Sequence, residues 1–345
     1  MRRYIWLALA AVLVIVLVVF VIVPKFSTTT VRLTDAEPGS TASVSAGPTA
    51  PATPGCAATF QMGHETWPDC SDTGAPTGVK LKRMSGVLKL TTNGEVLDHV
   101  YITGSVDVYA DNVTIENSVV LGTGYIGIMQ RSGYSGLKLL HDTITGDPGA
   151  GPDSGGEDIG VWNVGGSIQI GYDNISEFGG DVDIVAGDMH DSYLHDEQAF
   201  GSTGIGGCKP LPSPIPARCY DHSDAFGIDT GHGIVLRHNT ILEASIPGAN
   251  AAVELDDDLG TVSNVTVTDN FIAGGNYCTY SGSMPNAAPS AHIVYRDNAF
   301  STLYAPSCGQ FGPVAYWNAA GTGSIWKGNY WAGGRYSGRS VRSTP

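Results

Sequence analysis

The chain has 345 residues, 42% of them hydrophobic, which is enough to bury a sizeable core and excludes a wholly disordered protein. Only 15% are charged while 46 are glycine, a balance suited to short strands and many tight turns. The formal net charge of −15 excludes a phosphate-neutralising surface, so no nucleic-acid partner is expected.

In chain order, Arg2 and Arg3 precede an uncharged apolar run over 5–23, nineteen residues long, which suffices to span a bilayer as a helix. No small-residue cleavage pattern stands beside Pro24, so residues 1–26 read as a retained signal anchor in preference to a cleaved signal peptide. The basic pair at the start then places the remaining chain outside the cell, as a single-pass membrane protein or, after cleavage, a secreted one. Residues 27–55 follow, with 23 of 29 being Ser, Thr, Ala, Pro or Gly, the composition of a disordered linker. Six cysteines lie beyond it and fall into the sequence-adjacent pairs Cys56–Cys70, Cys208–Cys219 and Cys278–Cys308, each closing a local loop. An even count outside the cytoplasm predicts disulfides, the first of them closing an N-terminal cap over 56–78.

From 79 to 331 the chain repeats. Segments 113–120, 137–144, 168–175, 234–241, 265–272 and 293–300 share apolar residues at positions 1, 3 and 8 and mostly polar ones at 4 and 5. Position 6 is occupied by Ser118, Asp142, Asp173, Asn239, Asn270 and Asn298, with Val100, Ser192 and Asn329 extending the series. Alternation followed by a polar break predicts strand, bend, strand in every copy. The shortest spacing, 18 residues, suits one coil of a parallel β-helix, and longer spacings are loops inserted at a corner. Coils stack about 4.8 Å apart, so position 6 can hydrogen-bond along the stack, which is a structural role. A second match aligns 157–168 with 223–234 without a gap, pairing Asn163 with Asp229, and places Glu254 near Gly227 and Asp256 beside Asp229. Residues 332–345 remain as a polar tail.

The repeats, together with 222–234 (His-Ser-Asp-Ala-Phe-Gly-Ile-Asp-Thr-Gly-His-Gly-Ile), resemble the pectate-lyase-like superfamily of right-handed parallel β-helix proteins. The segment is similar to the His-x-Asp-Gly-Ile-Gln stretches of bacterial members, with Ala225 in place of Gly. The resemblance implies an all-β right-handed solenoid and activity as a polysaccharide lyase, hydrolase or epimerase.

Chemistry is expected where polar residues exceed what the coil needs, in 188–197, 222–238 and 252–269, which become lateral neighbours when the coils stack. Elimination from a uronic acid needs a base and a neutralised carboxylate, for which His222, His232 or His238 and Arg237 are candidates. Hydrolysis needs two carboxyl groups, for which Asp229 with Glu254 or Asp256 is the candidate pair, and Asp224 opens the same strand. His190, Asp191 and His238 share outward positions in adjacent coils with Arg237 and are candidates for holding substrate, as is Glu254. Their alternative role is a solvated face with weak charge pairing. The run from Asp256 to Asp258 is a candidate Ca²⁺ site or a charged turn, Asp256 being its first ligand. Trp162 and Phe226 are expected in the coil interior. The functional expectation is an extracellular enzyme acting on a polysaccharide, the alternative being a non-catalytic glycan-binding or structural surface protein.

Overall fold

Parallel pairing dominates the computed structural model, which describes residues 59–147, 159–201, 208–209, 212–257, 259–282 and 290–343. Among them, 26 of 28 strands belong to two sheets, one of seventeen strands and one of nine, and every pairing in both is parallel. The nine-stranded sheet forms one face of a coil, face A, which includes Ile168–Gly171, Gly187–His190, Gly231–Arg237 and Val262–Thr268. The seventeen-stranded sheet bends into two further faces. Face B includes Asn174–Ser176, Tyr193–His195, Thr240–Glu243 and Phe271–Gly274; face C includes Ile159–Asn163, Gly180–Ile184, Ser223–Ile228, Ala249–Leu255, Tyr277–Ser281 and Gly312–Ala315. The long strand Val100–Val108 passes through the bend, pairing with face B at its start and face C at its end. The chain winds A, B, C and repeats, which is the expected all-β parallel solenoid. The anchor at 1–26, the linker and Cys56 lie outside the described residues.

The bend from A to B explains the repeat. The backbone N–H of Val100 donates to Ser118 Oγ at 3.1 Å, that of Ser118 to Asp142 Oδ1 at 2.8 Å, and that of Asp142 to Asp173 Oδ1 at 2.6 Å. The ladder continues through Ser192, Asn239, Asn270 and Asn298 to Asn329 at 2.9–3.1 Å. The residue ahead of each of these ladder positions up to Asn298 is left-handed, with φ between 52° and 60° at His99, Asn117, His141, Tyr172, Asp191, His238, Asp269 and Asp297. Such a conformation costs an L residue roughly 1–2 kcal/mol, and the side-chain ladder offsets it by satisfying the buried N–H groups of the bend.

Two ladder positions are acidic. Burial and mutual repulsion push the Asp142 carboxyl up, burial does the same to Asp173, and Asp173 Oδ2 has no hydrogen-bond partner. At the equivalent site Asn270 donates from Nδ2 to the carbonyls of Leu236 and Thr268, at 3.0 and 2.9 Å. Asp173→Asn should therefore stabilise the protein by about 1–2 kcal/mol, from one added hydrogen bond and the removal of a buried acid. Calorimetry at neutral pH checks this, and a lowered melting temperature would contradict it.

Inside the coil, stacked Val, Leu and Ile side chains from the three faces form one continuous core. Phe178 is one of its large fully buried side chains, with Tyr295, Phe226 and Phe300, and small residues make room for it. A Cβ on Gly160 would lie 2.6 Å from the Asp181 carbonyl oxygen and 2.8 Å from the Phe178 ring. Phe226 is buried as expected. Trp162 is not: Val161 and Asn163 on either side are fully buried, so the alternation of the strand turns Trp162 outward, where it is half-buried.

The column that runs through 159–163 and 223–228 is offset by one residue from the gapless alignment. Trp162 pairs with Asp183, Asp183 with Gly227, Asn163 with Ile184 and Phe226 with Val182, so Asn163 shares a column with Ile228 and not Asp229. One extra residue is accommodated ahead of Ile234, across the turn and the start of Gly231–Arg237, where Gly233 takes φ 68°. The pairing of Gly227 with Glu254 stands, and Asp229 and Asp256 follow directly after the paired residues Ile228 and Leu255.

Cys208–Cys219 and Cys278–Cys308 form the expected disulfides. The first clamps the insertion between Tyr193–His195 and Ser223–Ile228 that makes the repeat there longest. Ahead of the coil, a hairpin of Phe60–Met62 and Glu65–Trp67 lies on face B, with the Phe60 and Trp67 rings 5.0 and 5.5 Å from Phe271.

Candidate active site

The outward residues of face C form a row because strand alternation turns every second side chain away from the core. Successive registers place Met129, Trp162, Asp183, Gly227, Glu254, Tyr280 and Ala315 on consecutive coils. The row therefore reads aromatic, acid, gap, acid, aromatic. Gly227 makes the gap, since a Cβ there would meet only the Val182 carbonyl oxygen, at 4.0 Å. Two rungs of about 4.8 Å separate the backbones of Asp183 and Glu254 by roughly 9.6 Å across it. At the far end Tyr280 stacks on Tyr316 with ring centroids 5.4 Å apart.

Beside the gap, Asp224 and Glu254 form a carboxyl pair. Asn250 Nδ2 donates to Asp224 Oδ1 at 3.2 Å and to Glu254 Oε1 at 2.7 Å, and the two carboxyls hydrogen-bond to each other. Asn250 is free to reach both because it is the extra residue of a bulge, inserted where Ser223 pairs with Ala249 and Asp224 with Ala251. Burial pushes Asp224 up to about 7, against the lowering effect of its hydrogen bonds, and Asp229 adds to the rise. Burial and then the charge of Asp224 raise Glu254 well above the ordinary range. Two adjacent acids that cannot both ionise share a proton, which leaves one of them a donor near neutral pH.

A chain of buried acids continues behind the pair, at the bend between faces B and C. Asp181 and Glu243 are fully buried and Glu197 is 4% exposed, and no described Lys, Arg or His forms an ion pair with any of them. Both carboxyl oxygens of Asp181 and of Glu243, and one of Glu197, lack hydrogen-bond partners. Burial raises all three, Glu197 to about 8, and Glu243 is raised further by Glu197, Asp224 and Asp181. Burial without a partner disfavours the ionised form of each, because an unpaired buried carboxylate is far costlier than a buried acid.

The candidates singled out from sequence divide between two places. Asp224, Asp229, Glu254 and Asp256 border the gap on face C, with exposed His222 just ahead of Ser223–Ile228 and exposed His232 just past the turn that follows it. Arg237, His190, Asp191 and His238 gather at the other end of face A, a strand length of roughly 20 Å away. There Asp191 accepts from His190 Nδ1 at 2.8 Å and from His238 Nδ1 at 2.5 Å, while Arg237 stands 4.0 Å off. His238 Nε2 also donates, to the Thr66 carbonyl at 2.9 Å. An acceptor at each nitrogen favours the doubly protonated ring; partial burial opposes the charge, but the bonds to Asp191 and Thr66 outweigh it and raise the pKa. This group ties the hairpin to the coil. His238→Ala should speed proteolytic cutting around residues 59–68 and cost about 1.5–3 kcal/mol, the worth of hydrogen bonds to a charged group. Turnover should be unaffected, and a loss of turnover in a folded variant would return this cluster to the active site.

Asp183, Asp181 and Glu243 were missed in the sequence. Asp183 belongs to a coil that the gapless match skipped, and aligning Gly180–Ile184 with 159–163 would have found it. Glu243 ends the otherwise apolar strand Thr240–Glu243, and that break in pattern was the available signal. No group of three His, Cys, Asp or Glu side chains among the described residues is arranged to hold a metal ion; Asp258 of the candidate Ca²⁺ run lies outside them. No family model matches the chain, and no curated protein matches it.

Proposed function

We propose that this is an extracellular, carbohydrate-active β-helix protein of the pectate-lyase-like kind that hydrolyses a polysaccharide lying along the outer row of face C. The observation that carries the reading is the Asp224–Glu254 pair beside the Gly227 gap, a proton donor near neutrality facing a second acid, Asp183, across an open space. Hydrolysis with inversion asks for one protonated and one ionised carboxyl about 6.5–9.5 Å apart, with room for water between. Glu254 would protonate the departing glycosidic oxygen and Asp183 would take the proton of the attacking water. Trp162 and Tyr280, one coil beyond each acid, offer ring faces on which sugar units stack. The row between Met129 and Tyr280 carries no Arg or Lys to neutralise a uronate, which favours hydrolysis over elimination. The two disulfides fit an oxidising compartment.

The test is product analysis on a panel of neutral and acidic polysaccharides. New reducing ends without ultraviolet-absorbing unsaturated sugars support hydrolysis. Unsaturated products would establish elimination instead, and binding without any cleavage would leave a glycan-binding module.

A further inference from the structure

The protein is acidic, but unevenly so. All 33 Asp and Glu residues precede position 298, whereas Lys327, Arg335, Arg339 and Arg342 follow it. The coil therefore ends in a cationic tip. Among the described residues none of these four cations forms an ion pair, and Arg335 and Arg339 rest over the Tyr336 ring at 4.6 and 5.8 Å. The segment after Tyr330–Ala332 folds back over the end of the core, where Val341 is buried and accepts from Trp326 Nε1 at 2.9 Å. Between that cover and Gly312–Ala315 lies a cavity of about 1260 Å³, lined by Tyr304, Phe311, Tyr316, Trp331, Arg335 and Arg342 among others. Among the described residues Gly312–Ala315 has a strand partner on one side only, Tyr277–Ser281. Phe311 is 63% exposed and Tyr316 40%, which is much apolar surface for a surface to leave bare.

We propose that this C-terminal cavity is a binding site, separate from the carboxyl gap, for an acidic saccharide that bears carboxylates along its chain. Aromatic faces suit pyranose rings, an unpaired strand edge suits hydroxyl groups, and guanidinium forks suit carboxylates. The acid-rich middle of the coil repels such a chain more than this end does, so the charge contrast favours its entry here. Because Tyr316 also stacks on Tyr280, a chain held here runs on toward the Glu254 row. The site rests on the glycan reading only for that continuation; its binding is measured without turnover.

Isothermal titration of the full-length protein in detergent micelles with hexagalacturonate, with neutral cellohexaose and with inorganic phosphate tests the assignment. Hexagalacturonate should bind, cellohexaose at least about tenfold more weakly, and added salt should weaken the first. Arg335→Gln with Arg342→Gln should lower hexagalacturonate affinity at least about tenfold at an unchanged melting temperature, and Tyr316→Ala should weaken it too. Glu254→Gln should bind it as the unaltered protein does, which separates this site from the hydrolytic one. Equal binding of cellohexaose, full displacement by an equal concentration of phosphate, or unaltered affinity in the double variant would overturn the proposal. Concentration-dependent self-association that the double variant abolishes would also overturn it, by assigning the tip to a second copy of the chain.

Discussion

Glu254→Gln should reduce polysaccharide turnover by about 10²–10⁴-fold, the usual contribution of a positioned proton donor, while leaving the melting temperature unchanged or higher. The amide is isosteric and can still meet Asn250 and Asp224, but it has no proton to give. Asp224→Asn should act differently. It removes the charge that helps hold Glu254 protonated, so the alkaline limb of the rate profile should move to lower pH while much of the rate at acidic pH survives. Equal losses at every pH in both variants would mean that the pair does not work as one proton-sharing unit. Asp183→Asn should resemble Glu254→Gln in size, because water activation fails without an ionised base.

The second large effect concerns pH and stability. Asp181, Glu197, Glu243, Asp224 and Glu254 all have folded pKa values raised by burial, with Asp224 at about 7 and Glu197 at about 8. Their unfolded values are near 4, so over the interval between, the folded protein binds more protons than the unfolded chain. Stability is then greatest at about pH 4–5 and falls as pH rises toward about 8. Asp191 and Asp196, lowered by their histidine partners, act in the opposite sense and set the acid side of the optimum. The melting temperature should drop on the order of 10 °C between pH 5 and pH 8, given a few kcal/mol and about 2–4 °C for each. Glu243→Gln should flatten that slope, with little effect at pH 5 and a clear gain at pH 8. A melting temperature that climbs steadily from pH 5 to pH 8 would show that these acids are ionised and compensated.

The solenoid was readable because its period is written in two independent ways, by apolar alternation within strands and by a small polar residue at each A-to-B bend. The spacings between ladder residues in the sequence are those of the hydrogen bonds in the fold, from 18 between Val100 and Ser118 to 47 between Ser192 and Asn239. The site was readable only in part. Glu254 was placed against Gly227 correctly, since that stretch of face C pairs in register and its bulge lies earlier, at Asn250. Asn163 was misplaced by one residue because turns between faces absorb insertions that leave no mark on the strands. Such a slip turns a column of side chains from core to solvent. For that reason Trp162 was expected inside and Asp183 was overlooked. His190, Asp191 and His238 were rightly seen as neighbours, but their bond to Thr66 joins residues 172 positions apart, and no local pattern announces that.

The proton held near neutrality by the Asp224–Glu254 pair beside the open gap can be observed directly. Difference infrared spectroscopy of the protein minus its Glu254→Gln variant, followed from pH 4 to pH 9, observes that proton through the carbonyl stretch of the un-ionised acid. A protonated carboxyl should persist through neutral pH in the unaltered protein, appear as a positive band in the difference against Glu254→Gln, and titrate at lower pH in Asp224→Asn. A difference band that vanishes by about pH 5, as an ordinary solvated carboxyl would require, would contradict the shared proton.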